Sequence, residues 1–420
     1  MPRVSCWLLL LVLAVPGAAW AQGGTPLGPE FRVNTYTTGY QDSSSVAADP
    51  VGGFVVVWDG QRADDPNGGI FGQRFAISGA PVGPEFRVNA STTDLQTLPS
   101  VDAASGGGFV VAWSSSGGYG GAPADVLGQR FASDGTPLGP EFLVNSYTTG
   151  SQSVPAVAAD PAGNFVVVWG GEGLGDAGGG VFGQRFAATG APLGAEFRVN
   201  TYTTDLQFAP SVAVDSAGNF VVAWSSGGYG GPPADVLGQR FASNCTPLGP
   251  EFRINTYTTY GQYRPAVASD TAGNFIVVWD GSRLDDTSAV SGQRFASSGA
   301  PLGPEFRVNT VTADFQIIPS IAADAAGNFV VAWTSNAGYG GVPPDIFGQR
   351  FASDGTPLGT EFGIATYTTS GQDRTAVAAD SAGNFVVTWD SLGQDGDGTG
   401  VFAQRYGRIL PVELMLFGVE

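Results

Sequence analysis

The stretch WDSLGQDGDGTG, residues Trp389 to Gly400, sets Asp395, Asp397 and Thr399 at alternate positions a few residues after Asp390. Calcium loops use that alternating spacing of carboxylate and hydroxyl oxygens. Ca²⁺ needs roughly 6–8 oxygens, and the complete EF-hand pattern is absent. Three other loops carry a Gly-Tyr-Gly tip and close on an aspartate: Tyr119 with Asp125, Tyr229 with Asp235, and Tyr339 with Asp345. Tyrosine rings on loop tips suit stacking on sugars or protein side chains. These six are the candidate ligand-binding residues, and Asp390, Asp395, Asp397 and Thr399 are the candidate metal ligands.

Other chemistry is excluded by what the chain lacks. There is no His, and all 18 basic residues are Arg. His-based triads, His metal sites and Schiff bases are thereby removed together, and no nucleophile–base set remains. Paired carboxylates alone can hydrolyse glycosides, so a glycan-degrading hydrolase is the alternative to a non-catalytic protein. No cofactor is required beyond a potential Ca²⁺. A net charge of −19 argues against nucleic acid and anionic membranes as partners.

The first residues read as a secretory signal, with an apolar run from Trp7 to Val15 and small residues at Ala19 and Ala21, giving a leader over 1–21. That run is too short to span a bilayer. Once it is removed Cys245 stands alone, so no intrachain disulfide is expected and stability must come from the core. The reading is a secreted, extracellular monomer.

The loops sit inside a repeat. P-[LV]-G-x-E-F, G-[NG]-F-[VI]-V-x-W and Q-R-[FY] recur seven times, and the tryptophans fall at 58, 113, 169, 224, 279, 333 and 389. Each unit of about 55 residues reads as four short strands, because β-branched and aromatic runs are bounded by Gly, Pro, Asp and Asn. In FVVVW (Phe165 to Trp169) both faces are apolar, so this strand must be covered on both sides. Four-stranded units of this length fit the blades of a β-propeller. The mature chain begins with a lone fourth strand (Leu27 to Asn34) and ends with a first, second and third (Thr375 to Tyr406). Docking the two ends removes an exposed edge. The expected architecture is therefore an all-β, seven-bladed propeller over 22–407, closed by the N-terminal strand, with an apolar tail at 408–420.

The D-x-A-G-N-F hairpin resembles the Asp-Gly turns of NHL-type bacterial propeller repeats and, more distantly, the Asp-box of sialidases. The whole unit, from Thr25 to Tyr406 and including W…GQRF, resembles repeats of secreted bacterial surface and adhesin-like proteins. The Ser and Thr positions of the Asp-box are not kept. No residues match the arginine cluster or Tyr/Glu pair of sialidases. The resemblance thus implies a fold and an extracellular setting, and no reaction.

Residues kept in all seven units are expected to maintain the blade. Among them, each Glu of E-F is expected to pair with the Arg of the adjacent Gln-Arg, as Glu85 with Arg74. The repeated Gln (Gln41, Gln96, Gln152, Gln207, Gln262, Gln316, Gln372) suits either a buried turn or a ring at a channel mouth. The units differ in their second-to-third loops. Units two, four and six carry the Gly-Tyr-Gly type, whereas one, three, five and seven carry Gly/Asp-rich loops. Seven being odd, two acidic-type units meet where the ring closes. Three readings of this face remain: solvated turns, calcium sites, or capture of an extracellular glycan or surface protein.

Overall fold

The computed structural model describes residues 25–408 except 64, 118–122, 174–175, 228–232, 284–285, 313–314 and 337–344. Seven four-stranded antiparallel sheets form a seven-bladed β-propeller. In six blades the strands, a to d, lie in chain order outward from the centre; in blade 3 they are Gln152–Ala159, Phe165–Gly173, Asp176–Phe186 and Phe197–Arg198. The other inner strands are Gln41–Ala48, Gln96–Ala103, Gln207–Val214, Gln262–Ser269, Gln316–Ala323 and Gln372–Ala379. The short Ala and Val side chains of strand a suit this crowded position.

Alternation of side chains along strand b builds the core. Phe165, Val167 and Trp169 pack toward blade 2, while Val166 and Val168 pack toward blade 4. Each seam is thus one hydrophobic cluster drawn from two blades, and burial at about 25 cal/mol per Å² of apolar surface is the main favourable term. The cluster joining Val46, Val56 and Trp58 to Ala378, Val386, Val401 and Ala403 closes the ring. There Phe31–Arg32 completes blade 7 as its outer strand, pairing antiparallel with Thr399–Tyr406. Leu27 N and Val33 N donate to the carbonyls of Arg405 and Val401, each at 2.8 Å.

The repeated polar residues serve the blades. Every conserved Trp donates its indole N–H to the repeated Gln at 2.7–3.0 Å. Those Gln side chains are buried, so they are turn partners and not a channel lining. In the a–b hairpin, Asp160 Oδ1 accepts the N–H groups of Ala162 and Asn164 while Gly163 supplies the left-handed residue at φ 84°.

The expected pairing of Glu85 with Arg74 is not formed. Phe71 faces Arg87 and Gly72 faces Phe86, so Glu85 falls beside Gln73 and Arg74 points to the other side of the sheet. Each Glu instead reaches the preceding blade, accepting the backbone N–H that follows its strand d: Thr35, Ala90, Ser146, Thr201, Thr256, Thr310 and Thr366, at 2.5–2.8 Å. Glu85 also pairs with Arg62. The Arg side chains reach the following blade, as Arg130 to the Ala188 carbonyl at 2.6 Å and Arg240 to that of Ser297 at 2.6 Å. Glu and Arg therefore bolt blade to blade in opposite directions.

Replacing Gln207 by Leu leaves the buried Trp224 indole N–H without its acceptor. The expected cost is about 1–3 kcal/mol, read as a lower denaturation midpoint with an unchanged slope.

Candidate functional site

The a–b and c–d turns share one face, here the lower, and the b–c and d–a connections share the upper. At the lower mouth of the central channel the hydroxyls are tied around the ring: Ser216 to the Thr271 carbonyl at 2.8 Å, Thr271 to Ala325 at 3.0 Å, and Ser381 to Pro50 at 2.7 Å. The turn aspartates face their own hairpins. That mouth holds satisfied groups.

The upper mouth is different. The third residue of every strand a is non-glycine and left-handed: Ser43, Leu98, Val154, Ala209, Arg264, Ile318 and Arg374, with φ between 50° and 55°. Such a conformation costs roughly 1–2 kcal/mol for an ordinary residue. It coincides with a break in the a–b register, such as that between Ser153 and Ala156. The side chain after the conserved Trp of the preceding blade fixes most of these bulges. Asp59 Oδ2 accepts Leu98 N at 2.7 Å, Ser114 Oγ accepts Val154 N at 3.0 Å, Ser225 Oγ accepts Arg264 N at 3.0 Å, Asp280 Oδ2 accepts Ile318 N at 2.8 Å, and Asp390 Oδ2 accepts Ser43 N at 2.8 Å. Because it recurs in every blade, this bulge belongs to the architecture of the unit, and it sets how the strand a side chains meet the channel.

Each blade thereby presents two side chains at the mouth. One arc is largely apolar, with Leu98, Val154, Phe208 and Ile318; Tyr263 adds a ring, and Leu206, Tyr260 and Phe315 stand exposed behind it. Blades 7 and 1 are charged, with Asp373, Arg374 and Asp42, and one further charge, Arg264, stands within the apolar arc beside Tyr263 on blade 5. Arg264 Nε lies 2.9 Å from Asp280 Oδ2, and Arg374 Nη1 lies 3.8 Å from Asp42 Oδ1.

The residue after Trp is acidic or Gly in odd blades and Ser or Thr in even ones. Ring closure sets blade 7 beside blade 1, and only there do two acid-bearing blades adjoin. Asp42 lies directly across strands a and b from Asp59, and Asp390 sits across the seam. Burial raises the Asp59 carboxyl to about 9, and its hydrogen bond to Asp42 and the negative charge around it add to the shift. Burial also pushes Asp390 well above the usual carboxylate range, again with Asp42 adding to it. Asp280 rises by burial to about 6, opposed by Arg264.

The sequence-derived candidates divide. Tyr119, Tyr229 and Tyr339 lie outside the described residues. Asp125 and Asp235 are buried at the base of their loops, each accepting at 2.7 Å from the Asn two residues past strand d, Asn145 and Asn255. Blade 6 has Ala365 where that Asn would stand, and Asp345 accepts Ile346 N instead at 2.8 Å. Asp395 Oδ2 accepts from Asn34 Nδ2 and Asp397 Oδ2 from Gly39 N, each at 3.2 Å, so this loop leans on the N-terminal segment. Thr399 opens strand c opposite Leu392, and Asp390 faces the seam. Among the described residues no three His, Cys, Asp or Glu side chains group to hold a metal ion. Asp42, Asp59, Arg264 and Arg374 were not singled out from sequence; Trp-Asp recurring in units one, five and seven was the available signal. Cys245 occupies a left-handed c–d turn position at φ 66° where its counterparts are Gly, and burial raises its thiol pKa.

No known protein family matches the chain by sequence, and neither does any curated protein. Among solved structures it is similar to a protein of unknown function from Dyadobacter fermentans, at 10% identity and a TM-score of 0.54, covering 92% of this chain and 99% of that one. That likeness supports the propeller fold. Weaker likenesses include an alpha-L-arabinanase from Penicillium chrysogenum complexed with arabinobiose (13% identity, 91% and 99% coverage, TM-score 0.48) and a polysaccharide lyase (9% identity, 92% of each chain, TM-score 0.49). Among the described residues no helix is long and apolar enough to cross a membrane.

Asp59 holds its proton more tightly folded than unfolded, so its contribution to stability is complete below the unfolded value near 4 and is lost as pH rises toward about 9. Thermal unfolding is expected to shift to lower temperature across that window, and Asp59→Asn, which keeps a neutral side chain, should flatten the dependence. An identical pH profile in the two proteins would show that Asp59 is ionised throughout.

Proposed function

We propose that the protein is an extracellular, non-catalytic binding module that takes a glycan at its upper mouth. The observation that carries this is a mouth whose blades 2 to 6 offer apolar side chains with a ring and a guanidinium side by side, Tyr263 and Arg264, and whose blades 7 and 1 offer charged ones. Sugars offer apolar C–H faces and hydroxyl edges, and recognition needs both kinds of surface within one concavity. Leu98, Val154, Phe208 and Tyr263 supply the first; Asp42, Arg264, Asp373 and Arg374 supply charge-assisted hydrogen bonds for the second. Leader-like residues 1–21 and the resemblance to surface repeats favour an extracellular setting. Calcium at Asp395, Asp397 and Thr399 is an additional proposal, which a chelator arm addresses.

Hydrolysis is the second reading, favoured by the carboxyl groups at the mouth, but glycoside cleavage holds its two carboxyls roughly 5–9.5 Å apart across the bond, whereas Asp59 is hydrogen-bonded directly to Asp42. Asp59 is only 2% exposed, which places its proton behind Asp42 and makes binding the stronger reading.

A glycan array, read with and without chelator, is expected to give a selective set of ligands, and Tyr263→Ala should weaken them by about tenfold or more. An array without signal in either condition would overturn the binding reading. Turnover of a bound glycan that stops with Asp42→Asn would replace it by the hydrolytic one.

A further inference from the structure

We propose that Arg264 and Tyr263, side by side on the inner strand of blade 5, bind the carboxylate and the ring of an acidic sugar, so that the glycan taken by the mouth carries an isolated uronic acid among neutral sugars. This rests on the glycan reading above and names its ligand class.

The two arginines of the mouth are not equivalent. Arg374 spends Nη1 on Ser43 Oγ at 2.7 Å and faces Asp42 at 3.8 Å. Arg264 meets its acid through Nε instead, 2.9 Å from Asp280 Oδ2, and its side chain is 45% exposed. No acceptor among the described residues is hydrogen-bonded to either of its Nη groups. The guanidinium is thus tied at one edge and open at the other, and its planar fork suits a carboxylate held by two hydrogen bonds.

That fork is also held in place. Ser225 Oγ accepts Arg264 N at 3.0 Å and keeps the residue in its left-handed conformation at φ 50°. Asp280 is buried, and the oxygen that meets Arg264 also accepts Ile318 N from blade 6 at 2.8 Å. A group anchored through both its backbone and its side chain loses little freedom on taking a ligand.

The adjacent ring is fitted by a second departure from the repeat. Unit five has Gly261 directly before the repeated Gln, where units one to four and six carry Tyr40, Leu95, Ser151, Leu206 and Phe315. A Cβ at Gly261 would stand 2.5 Å from Cε2 and Cζ of Tyr263, so the glycine lets the ring lie over the loop. Tyr263 remains exposed, as does Tyr260. A sugar stacked by its C–H face on Tyr263 has its acid beside Arg264.

Charge sets the number of acids. The chain carries −19, and blades 7 and 1 bring Asp373 and Asp42 to the same mouth. At physiological salt, exposed charges more than about 8 Å apart are largely screened. One carboxylate touching Arg264 is therefore governed by that contact, whereas a run of carboxylates crossing the mouth would be repelled.

The test is a glycan array probed with the full chain. Each neutral oligosaccharide is printed beside counterparts bearing one uronic acid, the same uronic acid reduced to its alcohol, one sulfate, or a uronic acid at every position. The singly acidic probes are expected to bind about tenfold tighter or better than their reduced forms, as a charge-assisted hydrogen-bonded pair implies. Arg264→Gln should remove that preference, and Arg264→Lys, which keeps the charge without the fork, should restore it only in part. Gly261→Ala, which displaces the ring, should weaken acidic and reduced forms alike. Acidic forms bound no better than reduced ones, or a preference that survives Arg264→Gln, would overturn the carboxylate site and leave a glycan site standing. A preference for sulfate, or for the fully charged oligomers, would overturn it in the same way. An array without any signal would overturn both readings.

Discussion

A strand that is apolar on both faces cannot lie at the end of a stack. Phe165, Val167 and Trp169 need a blade on one side; Val166 and Val168 need one on the other, and each of the seven blades repeats the demand. The only arrangement of identical units in which none is terminal is a ring. The division of the chain ends, one strand at the start and three at the finish, then makes the ring's last sheet from both termini. Hydrogen bonds refine what burial imposes: the Trp–Gln pair inside each blade, and the Glu and Arg links between neighbours.

The ring has a consequence at its centre. Seven is odd, whereas the units alternate in type, so one seam differs from the rest. There Ser43 meets Asp390, 347 residues away in the chain, and three carboxyl groups gather where other seams hold one acid, a hydroxyl or a glycine. Burial keeps part of that charge titrated, and the exposed arginine offsets more of it. The charged part of the mouth is thus placed by counting, since Asp follows Trp in blades 1, 5 and 7 and only blades 7 and 1 adjoin.

The architecture was legible because seven copies act as their own controls. Spacing of Trp gave the period, alternation within FVVVW gave the two buried faces, and the offset of the d strand gave closure. Side-chain partners were less legible. The Glu–Arg pairing failed on strand parity, since a shift of one residue moves a side chain to the opposite face. The role of the repeated Gln stayed open because it lies 17 positions from its Trp partner and meets it only through the a–b hairpin. The acids of the closing seam were hidden for a related reason: Asp42 and Asp390 are neighbours only after the ring shuts. Loop composition drew attention to Asp395 and Asp397, which lean on the N-terminal segment, and away from the residue directly after Trp.

The dependence of the whole on closure is tested most directly by a chain that begins at residue 38 and so lacks the outer strand of blade 7. Sedimentation and denaturation should show self-association through the bared Thr399–Tyr406 edge and loss of a single cooperative transition, and a synthetic peptide of residues 25–37 added in trans should restore a monomer with the parent's transition. A shortened chain that stays monomeric and unfolds at the parent's midpoint without the peptide would contradict the account.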